Sequence, residues 1–179
     1  MRTITVRIAA ATLLAFVPAV AGAQSAPPAN FRQEFLSQFN TSMSKFIALA
    51  EAMPADKYGW SPGPGVMTVA KVYAHVAHYN YGYPSGQMRV ALPAGIKLDT
   101  LESVASKAAV VALLRQSSDF VKKAVEGMPE SQLATGTTLY GRQVQQWAVL
   151  FQLLAHMNEH LGQSIAYARM NGIVPPWSS

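Results

Sequence analysis

An all-α fold, a four-helix bundle, is what this sequence predicts. Apolar residues recur at three- and four-residue steps in four stretches, each roughly 18 to 28 residues long. Breaks rich in Gly and Pro separate the stretches. No stretch shows convincing strand alternation, a repeat or low complexity. Helices with one apolar stripe each bury it best against one another.

The first pattern runs from about Phe31 to Met53. Phe31, Phe35, Phe39, Met43, Phe46, Ile47, Ala50 and Met53 form its stripe, and Pro54 stops it. A turn-rich segment follows, with two large aromatics in Tyr58-Gly59-Trp60-Ser61-Pro62. Thr68 is a suitable N-cap for the second helix. That helix carries Val69, Val72, Val76, Tyr79 and Tyr83 on one side, and Pro84 is expected to end or bend it. A long connection runs from about Ser85 to Leu101. The third helix covers about Ser103 to Gly127, with Val110, Val111, Leu114, Phe120, Val121, Ala124 and Val125 on its apolar face. Residues 130–143 read as a loop containing Leu139-Tyr140-Gly141-Arg142. The fourth helix runs from about Val144 to Asn171, with Gly172 as C-cap and Pro175-Pro176 beyond.

Ahead of the bundle, Arg2 and Arg7 precede an uncharged run from Ile8 to Val20, and Ala21-Gly22-Ala23 is a small-residue cleavage site. Residues 1–23 therefore read as a secretory signal peptide. Residues 24–30 read as a flexible leader and 31–179 as one bundle domain. The expected location is periplasmic or secreted. Half of the 179 residues are apolar and 13% are charged, which suits a packed domain rather than a disordered chain. Without Arg2 and Arg7 the chain carries 12 Lys+Arg against 9 Asp+Glu, a net charge of +3. With no basic run or stripe, nucleic acid is not an expected partner. There is no cysteine. Disulfides and thiolate ligands are excluded, so a metal here would be held by nitrogen and oxygen.

All four histidines fall in two clusters, His75 with His78 and His156 with His160. Residues four apart on a helix stand on one face, so His156 and His160 can grip one ion. On the helical projection both lie about 60–80° from the centre of the apolar stripe. His75 lies about 80° from the centre of its own stripe and His78 about 140°. His75 is thus the better inward ligand, and His78 the better rim or supporting residue. Glu159 directly precedes His160, so there is no H-E-x-x-H protease motif, and its side chain points away from the ligand face. A stripe-edge histidine can also be an ordinary interfacial side chain.

At these residues the sequence resembles the DinB-like (DinB/YfiT) metalloenzyme superfamily. The resemblance rests on Tyr58 to Pro62, Thr68-Val69 through His75-Val76, Leu139 to Arg142, His156 to Gln163 and Tyr167 to Pro176. The His-x-x-x-His-x-Gly-Gln element is its most specific part. It implies His75, His156 and His160 as ligands and helices in up-down-down-up order. Many relatives have arginine after the last histidine, where this chain has Leu161. Some branches transfer low-molecular-weight thiols or isomerise thiol adducts in the cytoplasm, whereas this chain is expected to be exported.

The expected function is that of a metal-dependent hydrolase or transferase acting on a small molecule of unknown class. Its expected cofactor is one divalent ion, zinc or nickel, which imidazole suits equally. Tyr58, Trp60, Tyr79, Tyr140 and Arg142 are candidate pocket residues, from their places in loops or at helix ends. The alternative is a non-catalytic metal-binding or stress-related module, which predicts a closed site with His78 or a carboxylate as fourth ligand. A structural bundle without metal is a third reading. A homodimer is expected from the apolar surface of such bundles.

Overall fold

The computed structural model of the chain describes residues 27–178. The expected signal peptide, residues 1–23, and the first part of the leader lie outside the described residues. Four long helices dominate: α1 (Phe31–Ala52), α2 (Val69–Met88), α4 (Lys107–Glu126) and α6 (Gln146–Met170). Two short helices, α3 (Leu98–Leu101) and α5 (Glu130–Leu133), lie in the connections, as does a single 3-10 turn at Ala55–Lys57. None of the described helices is long and apolar enough to cross a membrane.

Each of α1 and α2 packs against both α4 and α6. Side-chain pairs give the directions. Phe31 meets Trp147, 5.7 Å between ring centroids, so α1 and α6 begin at the same end. Arg32 reaches the Met128 carbonyl and Lys107 the Glu51 carbonyl, so α1 and α4 run oppositely. Tyr167 near the end of α6 bonds Met67 just before α2, and Tyr83 near the end of α2 lies beside His156, so α2 and α6 run oppositely. The long helices therefore run up, down, down, up.

The stripes read from the sequence form the core. Phe35, Phe39, Met43 and Phe46 from α1 are buried, as are Val72, Tyr73 and Val76 from α2. Val110, Leu114 and Val121 from α4 and Val149, Leu150, Leu153 and Met157 from α6 belong to the same buried cluster. Thr68 caps α2 by accepting from the Lys71 N–H at 3.2 Å.

Two local expectations are corrected. Helix two does not end at Pro84; it continues to Met88. Pro84 and Met88 are both buried, and this burial offsets the backbone bond that proline cannot make. Ser85 Oγ donates to the Tyr81 and Gly82 carbonyls in the turn below. The loop before helix four is also not wholly irregular. Strands β1 (Gly136–Leu139) and β2 (Arg142–Gln145) pair antiparallel, with Thr137 opposite Val144. Tyr140 and Gly141 make the two-residue turn, both with positive φ, 50° and 75°. Four-residue strands are too short to display a periodicity.

Candidate metal centre

α2 and α6 lie side by side, and their stripe-edge residues meet. His75 from α2 and His156 and His160 from α6 come together, with ligand-capable atoms all within 4.8 Å of one another. His75 Nε2 and His156 Nε2 are 3.2 Å apart. Two nitrogens bound about 2.0–2.1 Å from a tetrahedral ion stand about 3.3 Å apart, so this pair has the spacing of two ligands on one ion.

The partners of the other ring nitrogens fix which atoms are free. His75 Nδ1 is 2.7 Å from Glu102 Oε1. A carboxylate only accepts, so Nδ1 carries the proton and Nε2 keeps its lone pair. The same follows for His160 through a longer chain. The Met67 carbonyl only accepts, so the Tyr167 hydroxyl donates to it at 3.2 Å. Gln163 Nε2 then donates to Tyr167 at 2.9 Å, which turns Gln163 Oε1 towards His160 Nδ1 at 2.8 Å. His160 Nδ1 must donate, and its Nε2 is left as a lone pair. His156 differs, because its Nδ1 is buried with no hydrogen-bond partner.

The electrostatics favour neutral imidazoles. Burial, helped by the neighbouring His160 and His75, pushes His156 down from 6.5 to about 4. Burial also lowers His75, against the opposing pull of Glu102. Neutral imidazole is the form that ligates metals. Three imidazole nitrogen donors with no thiolate suit zinc or nickel, so the residues present fit an ion of this class.

The other sequence candidates are placed as follows. Tyr79 forms a wall of the cluster, its ring 4.4 Å from that of His156 and 4.8 Å from that of His75. Tyr140 is 64% exposed at the hairpin turn, and its hydroxyl bonds that of Tyr83. Tyr83 in turn lies 6.0 Å from the His156 ring. Trp60 packs edge-on against Tyr167, 5.3 Å away, at the outer end of the His160 chain. Tyr58 belongs to the core, where its hydroxyl donates to the Ala50 carbonyl at 2.7 Å. Arg142 is exposed on β2 opposite Leu139. His78 is outside the cluster, with Nδ1 3.0 Å from the Leu98 carbonyl, and Glu159 is exposed. Sequence reasoning missed Glu102, the role of Gln163 and Tyr83. Gln163 stands three residues beyond His160, a spacing that marks neighbours on one helix face. Glu102 is 27 positions from His75, and no local pattern points to it.

The sequence profile of the DinB superfamily matches residues 38–167, a span that contains all three histidines and all four long helices in whole or in part. The chain belongs to the DinB superfamily. Its fold is also that of solved DinB-like proteins. One from Bacillus cereus is 19% identical, with a TM-score of 0.71, covering 80% of this chain and 95% of its own. Another from Bacillus subtilis is 20% identical, with a TM-score of 0.60, covering 78% of this chain and 92% of its own. Among curated proteins, none matches the chain. The family and the proximity of three histidines fit metal binding by this DinB protein.

Proposed function

We propose that this DinB protein is an exported metal-dependent enzyme of the hydrolase or transferase class, acting on a small molecule. His75, His156 and His160 hold one divalent ion, zinc or nickel, through Nε2. The observation that carries this reading is the pair of Nε2 atoms at 3.2 Å, one of them a lone pair fixed by Glu102. His75 Nε2 is a lone pair, so either a proton on His156 Nε2 or a cation belongs between the two atoms.

A bound divalent ion supplies Lewis acidity. The chain supplies the surroundings. Tyr79 shields one side of the cluster, and Tyr83 and Tyr140 offer hydroxyl donors beyond it. Burial and the neighbouring Tyr140 push the Tyr83 hydroxyl up, so it stays protonated and able to donate at neutral pH. An open site is favoured over a closed, non-catalytic one, because neither His78 nor a carboxylate joins the three histidines whose ligand-capable atoms lie within 4.8 Å of one another. Residues 1–23 support export to the periplasm or beyond, where a cysteine-free chain needs no disulfide chemistry.

The test is elemental analysis of the mature protein, purified without an affinity tag, beside the His156→Ala/His160→Ala double variant. Near one metal per chain in the parent, lost in the variant, is the expected result. No metal in either, with no rise in parent melting temperature on adding zinc or nickel, would sink the proposal.

A further inference from the structure

We propose that Glu102 is the positioning residue of His75. It fixes the imidazole from outside the metal cluster, and the connection between α2 and α4 is thereby part of the site. This rests on the metal-centre reading above. Lys71, His75 and His78 stand at steps of four and three along α2, so they share one face of that helix. All three meet the same short piece of the connection. His78 Nδ1 donates to the Leu98 carbonyl at 3.0 Å, and His75 Nδ1 donates to Glu102 Oε1 at 2.7 Å. Lys71 Nζ lies 3.9 Å from Glu102 Oε2. Leu101, at the end of α3, is buried and anchors the piece from below. The carboxylate is thus delivered to His75 by a segment held at Leu98 and Leu101, just before it.

Two other roles for Glu102 fit less well. As a metal ligand it is misplaced, because it contacts Nδ1, whereas the nitrogen facing His156 is Nε2. As a surface ion pair with Lys71 it is long, and the lysine is half exposed, a pairing that contributes little. The short bond to His75 is what the geometry favours. An acceptor-only partner on Nδ1 holds the ring in the tautomer whose Nε2 is a lone pair, and it limits rotation of the ring.

The experiment compares the parent with Glu102→Ala, Glu102→Gln and His75→Ala. Two-bond 1H–15N correlation NMR reads the His75 tautomer in the metal-free protein. Competition with a chelator reads zinc affinity. In the parent, His75 should be in the Nδ1–H form. Glu102→Ala should show mixed tautomers and bind zinc about 10–100-fold more weakly. Glu102→Gln keeps an acceptor oxygen, so it should retain the tautomer and recover most of the affinity. Parent tautomer and parent affinity in Glu102→Ala would overturn the proposal. So would a Glu102→Gln variant that loses zinc as completely as His75→Ala, since the carboxylate would then be a ligand. If Glu102→Ala does not fold, Glu102→Met, which keeps the bulk of the side chain and removes the carboxylate acceptor, takes its place with the same two outcomes. A parent that binds no zinc defeats the metal-centre reading separately, and the metal-free tautomer still decides the role of Glu102.

Discussion

Gln163 offers the sharpest test of how the α6 half of the site is held. Its side chain joins His160 Nδ1 (2.8 Å) to the Tyr167 hydroxyl (2.9 Å), which continues to the Met67 carbonyl (3.2 Å). Replacing Gln163 by Ala removes two of these three bonds. At about 0.5–1.5 kcal/mol net for each bond, the metal-free protein should lose about 1–3 kcal/mol of stability, read from urea unfolding in the presence of a chelator. The loss should fall in the lower half of that range, since Gln163 and His160 are only half buried and water can replace the lost partners. Zinc affinity should fall further than stability alone requires, by about 10–100-fold, because His160 is no longer held with Nε2 free. Tyr167→Phe is the matched control. It cuts the outer bonds and leaves the Gln163 amide beside His160, so its effect on zinc should be smaller than that of Gln163→Ala. Zinc affinity within twofold of the parent in Gln163→Ala would refute the idea that this chain of bonds orients the ligand.

Two further outcomes follow from the same contacts. Tyr58→Phe should cost about 1 kcal/mol of folding stability, from the lost bond to the Ala50 carbonyl, and leave zinc affinity unchanged; a variant of parental stability with weakened zinc binding would return Tyr58 to the site. In the metal-free protein, His156 titrates near 4 when folded against 6.5 ordinarily, so the unfolded chain takes up a proton that the folded chain refuses. Stability is full above about pH 6.5 and is lost as pH falls towards 4. His156→Phe should flatten that dependence in urea midpoints measured across the window, and an equally steep dependence in this variant would rule out His156 as its source.

The long helices were legible because their signal is repeated. Phe35, Phe39, Met43 and Phe46 state one face four times, and all four are buried. Thr68 announced the start of α2 by its residue type alone. Pro84 does not end α2 because a local rule meets a non-local force, the burial of Pro84 and Met88 in the bundle. The β1–β2 hairpin stayed hidden for another reason. Its turn places Tyr140 at φ 50°, a conformation that Asn and Gly adopt readily and tyrosine seldom does, so the usual turn signature is missing.

The candidate site was legible only in its directions. Spacing and face angle single out His75, His156 and His160 over His78, and the structure brings those three together. A ligand also needs its proton on the far nitrogen, and a helical projection says nothing of tautomers. That information resides in partners distant in sequence: Glu102 for His75, and Met67 acting through Tyr167 and Gln163 for His160. Both chains end on an oxygen that can only accept, so the polarity of each bond along them is forced inward to a free Nε2. His156 has no such partner for Nδ1. Its ring is oriented instead by packing, against Tyr79 on one side and the other two imidazoles on the other. The cluster therefore has two imidazoles oriented by hydrogen bonds at Nδ1 and one held by packing and by the contact of its Nε2 with His75. His156 Nε2 faces the His75 Nε2 lone pair at 3.2 Å, so in the metal-free protein it carries the proton, and a cation can take its place only if that proton leaves or moves to the buried Nδ1.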